Sequence, residues 1–411
     1  MGLFKSFKGI PFIIVFQSLL IAFYADVKCI NWTLAYGYSS KDEEGGFMSI
    51  LYAGVIFMLL ICAKVGRNNV SGRISRTSVM IVLLLIIFYM VTLNFIGPPR
   101  IIFPMFMVMV IASILLPNLV KVNARILIKA IMFFPTFAIF KMDKIFAFKV
   151  DWKDVISMDA SYAFLVPICA AIVYMYLYYR EEEKWDKVVT LVLFIINMIF
   201  FAQILQYGSR GPILSVLLMI VFLYLIKQPE SIGVRKKEHL MAICIFGIIV
   251  LFFSFYSMIS VIGLIAEFNG VSFHFVEKIV ALGAEEDLTN GRDMINGITI
   301  NGIMDNPICG HGFDMFDAIT GLGYPHNVVL QLLYDGGIIL FLCLVIPLIK
   351  SMSQLLSNCT KGEYAVFTVL FFSSVPGAFF SGDSWGLAVF WLFYGYMLSR
   401  YFVIEEDKYS Y

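Results

Sequence analysis

Three basic side chains sit where they could do chemistry rather than merely solvate a loop: Arg210, Arg292 and His326. Arg210 belongs to Gly208-Ser209-Arg210-Gly211-Pro212, where Ser209 fits a helix N-cap and Pro212 falls in the first turn. Its guanidinium would stand beside the free N–H groups of a helix N-terminus, which already favour an anion. The plainer reading is an arginine snorkelling to lipid headgroups. Arg292 opens a helical pattern through Met294, Ile298 and Ile303 that Pro307 stops, with Thr289 or Asn290 as its cap. A cation is at the wrong end of such a helix, an objection that the neighbouring Asp293 softens.

His326 is the most pointed of the three. It lies in Gly323-Tyr324-Pro325-His326-Asn327 and opens a second short helix with apolar positions Val328, Val329, Leu332 and Leu333. Gly336-Gly337 ends that helix before the next apolar run. A neutral imidazole at such a boundary can take a proton from a hydroxyl near physiological pH. A lone loop histidine is more often structural, and His311 and His274 are read that way. Ser209, Tyr324 and Asn327 would support the three basic groups.

The elements that must position them are set by composition. The 411 residues are 60% hydrophobic and only 14% charged, with 40 Phe, more apolar surface than a soluble domain could bury. The fold expected is an all-α polytopic membrane protein forming a single transmembrane domain over 1–411. A net charge of +1 excludes a global field for nucleic acid or another polyanion. A span needs about 20 apolar residues. About twelve stretches qualify, near 9–25, 48–65, 79–96, 101–120, 126–140, 162–179, 188–206, 212–226, 240–260, 337–350, 364–380 and 386–403. The fifth is short and contains Pro135, which predicts a kink or tilt.

Basic residues orient the spans. Lys64, Arg67, Arg73, Arg76, Lys121, Arg125, Lys129, Arg180, Lys184, Lys187, Lys227, Arg235, Lys236, Lys237, Lys350 and Lys361 fall in one set of connections, joined by Lys5, Lys8, Arg400 and Lys408 near the termini. That set is most of the chain's 30 basic residues. Both termini are then cytoplasmic, and 261–327, between spans nine and ten, is a long structured outer loop carrying short helices. Only 141–160 breaks the pattern; its lysines are balanced by aspartates, and it is expected to lie along the interface. Lys5 and Lys8 before the first apolar run read as an uncleaved first helix.

Seven cysteines are scattered without a Cys-x-x-Cys pair. Cys29 and Cys309 share the outer face, which leaves a disulfide between them open. Asp42-Glu43-Glu44 and Glu285-Glu286-Asp287 could meet a divalent cation through oxygen, but solvated charge is the default reading. No metal and no cofactor are expected.

Taken together, these stretches resemble the superfamily of O-antigen polymerases and O-antigen ligases. The resemblance is carried by Gly208-Ser209-Arg210-Gly211, by Gly291-Arg292, by the Pro-x-x-Gly-x-Gly run within Asp305 to Gly312, and by Pro325-His326-Asn327 followed by Leu330, Leu333, Asp335 and Gly336-Gly337. It covers roughly residues 188 to 350. What it implies is a GT-C-like glycosyltransferase of the bacterial inner membrane with its active site facing the periplasm. Such an enzyme takes an undecaprenyl-diphosphate-linked oligosaccharide as donor and a second as acceptor, within membrane lipid, and works with a chain-length regulator. Arg210 and Arg292 would hold the diphosphate and His326 would act near the acceptor, with inversion and without metal. The context of His326 leans toward polymerase; ligase is the alternative.

A lipid-linked oligosaccharide flippase or another transporter is the reading from a different class. Transporters tend to place ionisable residues within spans along the substrate path. Here the spans are nearly free of charge and the polarity is gathered outside them.

Overall fold

In the computed structural model, the described residues are 11–34, 50–61, 74–141, 160–207, 210–225, 292–380, 383, 385–399 and 402–403. Their regular elements are helices, without a named strand. In chain order the helices are α1 (Phe12–Ala25), α2 (Val27–Leu34), α3 (Ile50–Ile61), α4 (Arg76–Phe95), α5 (Phe103–Leu119), α6 (Ala124–Phe133) and α7 (Ala160–Leu177). They continue as α8 (Lys184–Tyr207), α9 (Arg210–Leu225), α10 (Arg292–Asp305), α11 (Phe316–Thr320), α12 (Val328–Asn358), α13 (Lys361–Phe380) and α14 (Ala388–Leu398). Among the described residues, α4, α7, α8, α12 and α13 are long and apolar enough to cross a membrane, while α1, α3, α5, α9 and α14 are shorter apolar helices.

The expected stretches fall on these helices, apart from 240–260, which lies outside the described residues. Three differences have physical causes. The fifth stretch is helical only to Phe133 and tightens into a 3-10 run over Phe134–Lys141, because Pro135 cannot donate to an α-helical ladder. A short helix, α2, follows Asp26, where the sequence reading had none. The stretch expected at 337–350 is the central part of a longer element, Val328–Asn358, which absorbs the short helix that begins after Asn327. Gly337, at φ 60 and ψ −165, still breaks the helical geometry inside it, so two helices abut there. Cys29 is buried, Cys309 is exposed, and no disulfide joins them.

Two apolar cores hold the bundle. The larger draws on α1, α6, α7, α9, α13 and α14, with Tyr162 wedged between Gly211 and Gly377, whose missing side chains admit its ring. The smaller is aromatic and joins Tyr89, Phe106, Trp385 and Trp391 to Phe313 of the segment between α10 and α12. The Phe313 ring lies 4.1 Å from Trp385, 5.0 Å from Phe106 and 5.3 Å from Tyr89. That segment is thereby part of the folded body.

Polar groups gather at opposite ends of the helices. At one end, Arg125 donates to Glu181 at 2.7 Å, Lys361 pairs with the same carboxylate, and Lys129 donates to Glu182 at 2.6 Å. Tyr174 and Thr190 hydroxyls complete the shell of buried Glu182. The connections α5–α6, α7–α8 and α12–α13 thus meet. At the other end lie the α4–α5 loop, the segment between α10 and α12, and the α13–α14 connection.

Candidate functional site

The scaffold of the site is a helix broken on purpose. A break leaves carbonyls unpaid on one side and N–H groups on the other. The chain from Pro307 to Gly312 satisfies both sets. His311 N donates to Tyr334 O at 2.9 Å and Gly312 N to Asp335 O at 2.8 Å, while Ile338 N donates to Pro307 O at 2.9 Å. Such close backbone approach leaves no room for side chains: a Cβ on Gly310 would strike the Asp335 carbonyl, and one on Gly337 the Ile308 carbonyl. Both glycines have positive φ, 68 and 60. The Pro-x-x-Gly-x-Gly run and the Gly-Gly pair are two halves of one joint.

His311 serves that joint. Its Nε2–H donates to the Gly302 carbonyl at 2.8 Å, which leaves Nδ1 to accept from Asn306 at 3.4 Å. The ring stacks on Tyr334 with centroids 4.4 Å apart, and Gly302 lets α10 close onto the same tyrosine. Below the joint, the buried carboxylate of Asp335 accepts from Trp385 Nε1 at 2.7 Å.

About two and a half turns before the break, Asn327 caps α12: its Oδ1 accepts from Val329 N at 2.9 Å and Leu330 N at 3.2 Å. His326 immediately precedes the cap with φ 55, a left-handed conformation that costs a histidine about 1–2 kcal/mol. Half-buried, its ring lies 4.2 Å from that of Tyr324. The Tyr324 ring also meets Arg100, whose guanidinium carbon stands 5.5 Å from its centroid.

Arg100, from the α4–α5 loop, is gripped by two carboxylates. It donates to Asp314 at 3.4 Å and pairs with Asp383, which also accepts from Gln331 at 3.1 Å and from Trp385 N at 3.2 Å. The second Asp314 oxygen accepts from Ile101 N at 2.8 Å. Burial, with Asp383 adding repulsion, pushes the Asp314 carboxyl up to about 7, against the pull of Arg100. Burial works against the Arg100 charge, but Asp383 and Asp314 more than offset it and leave its pKa raised. Two carboxylates share one cation here, so the cluster carries surplus negative charge whenever Asp314 is ionised.

The residues singled out in the sequence are distributed unevenly. Tyr324, His326 and Asn327 come together at the start of α12. Arg292 is the first residue of α10, the helix that leads to the joint, as its spacing predicts. Arg210 is the first residue of α9, and Gly211 beside it packs on Tyr162. Ser209 lies outside the described residues, as do Thr289, Asn290, His274 and both acidic runs. Among the described residues no three His, Cys, Asp or Glu side chains converge as a metal cluster. Sequence reasoning missed Arg100, Asp314 and Asp383. The available signal was weak: an arginine and two aspartates, each in a connection between helices.

Residues 195–345, from the middle of α8 through the helix break, match the family model described as O-antigen ligase. A search of curated proteins finds no match to the chain.

Proposed function

We propose that this chain, whose residues 195–345 match the family model described as O-antigen ligase, is an O-antigen polymerase. In this reading it joins repeat units carried on undecaprenyl diphosphate, at the periplasmic face of the inner membrane. The family's members are glycosyltransferase-like enzymes, and the apolar helices suit a multi-pass membrane protein.

The observation that carries the reading is His326, held at a capped helix start by a strained backbone and an aromatic neighbour. Strain kept at one histidine while His311 is fully engaged in packing favours a functional role for His326. His326 would accept the proton of the attacking sugar hydroxyl. The bond from the donor sugar's anomeric carbon to the diphosphate breaks as the bond to the acceptor oxygen forms, with inversion. The departing diphosphate carries about two to three negative charges, and Arg210 and Arg292 would stabilise that developing charge. A good leaving group needs no general acid. Tyr324, Asn327 and Ser209 would support these groups. The reading needs no metal, and a chain-length regulator would act as a separate partner.

The family description itself favours a second reading, a ligase that moves finished polymer onto lipid A-core. Deleting the gene separates the two on a lipopolysaccharide gel. A single repeat unit left on the core is the polymerase outcome; loss of all O-antigen is the ligase outcome. Arg210→Ala, Arg292→Ala or His326→Ala each abolishes chain extension while lipid-linked units still reach the outer leaflet. Unchanged polymer in all three variants would refute this site.

A further inference from the structure

We propose that Arg100 is a positioning residue for His326, acting through the ring of Tyr324. The inference rests on reading His326 as the base of the transfer reaction.

The geometry assigns Arg100 little freedom to do anything else. Its guanidinium is held by Asp314 and Asp383, so its charge is already committed within the protein rather than offered to a phosphate. Arg100 and its two anchors come from three separate parts of the chain: the α4–α5 loop, the segment after the glycine joint, and the connection between α13 and α14. Each anchor is itself tied down. Asp314 fixes the Ile101 amide, and Asp383 accepts from Gln331 and the Trp385 amide.

What the clamped guanidinium touches next is Tyr324, at 5.5 Å from its ring centre, and Tyr324 in turn meets His326 at 4.2 Å. Gln331 closes the circuit, because it sits on the first turns of α12, the helix that Asn327 caps beside His326. The arrangement therefore fixes the imidazole from two directions: along the backbone through the cap, and sideways through the tyrosine ring. His326 has an unfavourable φ of 55. A strained backbone persists only when surroundings over-determine it, and the Arg100 network supplies part of that constraint.

A misplaced base lowers the rate of the chemical step without changing how well substrate binds. The test uses the purified full chain in liposomes with a synthetic lipid-diphosphate-linked oligosaccharide, following initial rate against acceptor concentration. Arg100→Ala should lower kcat by about 10- to 100-fold at unchanged KM. Arg100→Lys keeps a cation over the ring and should recover most of that loss. Tyr324→Ala should reproduce the loss, and the double variant should fall no further than either single one, because both act along one path. A raised KM with unchanged kcat in Arg100→Ala, no loss at all, or losses that multiply in the double variant would each overturn the inference. His326→Ala is run beside them: if it retains full rate, the functional reading itself fails, whereas its loss with an active Arg100→Ala sinks only the positioning role. Melting temperature is recorded for each variant. Should Arg100→Ala not accumulate, Arg100→Gln takes its place in the same cycle.

Discussion

The amide of Gly312 donates to the carbonyl of Asp335 at 2.8 Å, across a junction where α12 has no helical bond of its own to offer. One short run thereby completes the hydrogen bonding of a helix interrupted inside an apolar bundle. A backbone break in lipid without such a partner would cost several kcal/mol per unsatisfied group.

Gly310→Ala should therefore be among the most damaging small changes in the chain. The added methyl meets the Asp335 carbonyl, and φ 68 is unfavourable for alanine as well. Gly321→Ala is the matched control, with φ 70 and open space around it, so it carries only the strain of roughly 1–2 kcal/mol. Melting of the purified variants in detergent should rank Gly310→Ala well below Gly321→Ala. Equal melting points would mean that the joint yields.

The two histidines near the joint should separate cleanly. His311→Ala removes a hydrogen bond to Gly302 and a stack on Tyr334, costing about 1–3 kcal/mol of stability. Its turnover per folded molecule should change little. His326→Ala should melt normally and fail to extend chain. The opposite pattern in melting and rate assays would exchange their roles.

Asp314 should make stability depend on pH. Its folded carboxyl sits at about 7, above the ordinary carboxylate value of about 3.9. The folded state thus holds a proton that the unfolded state has already released between those values. Its contribution is fully present below about pH 4 and is lost as pH rises through about 7. Asp314→Asn keeps an oxygen for the Ile101 amide and should flatten that slope in melting curves from pH 4 to 8. A slope unchanged by the substitution would assign it to other groups.

Trp385→Phe should preserve the stack on Phe313 and Trp391 but strip a donor from the buried Asp335 carboxylate. An unsatisfied buried acceptor costs about 1–3 kcal/mol. Asp335→Asn in the same chain should not restore the lost bond, so the double variant should remain destabilised in thermal denaturation.

At the far end of the bundle, Lys129→Met should leave Glu182 buried with only two hydroxyl donors, from Tyr174 and Thr190. Breaking one side of a buried pair costs about 3–5 kcal/mol, and those hydroxyls should hold the loss near the lower limit. Adding Glu182→Gln should recover part of it. A double variant no better than the single would argue against a charge effect.

Much of this protein is local and was readable from the chain alone. Apolar runs of membrane length, interrupted by charged turns, produce helices wherever they occur, because buried backbone groups must pair within their own segment. The start of α10 at Arg292, the cap at Asn327 and the interruption at Gly337 follow from residues within a few positions of each other. The Arg100 cluster does not. Its partners lie 214 and 283 positions away, so no spacing marks them, and only the packing of Phe313 and Trp385 against α4 and α5 brings them within reach. Hydropathy dictates which segments become helices; which loops then share a charge is decided by how those helices pack.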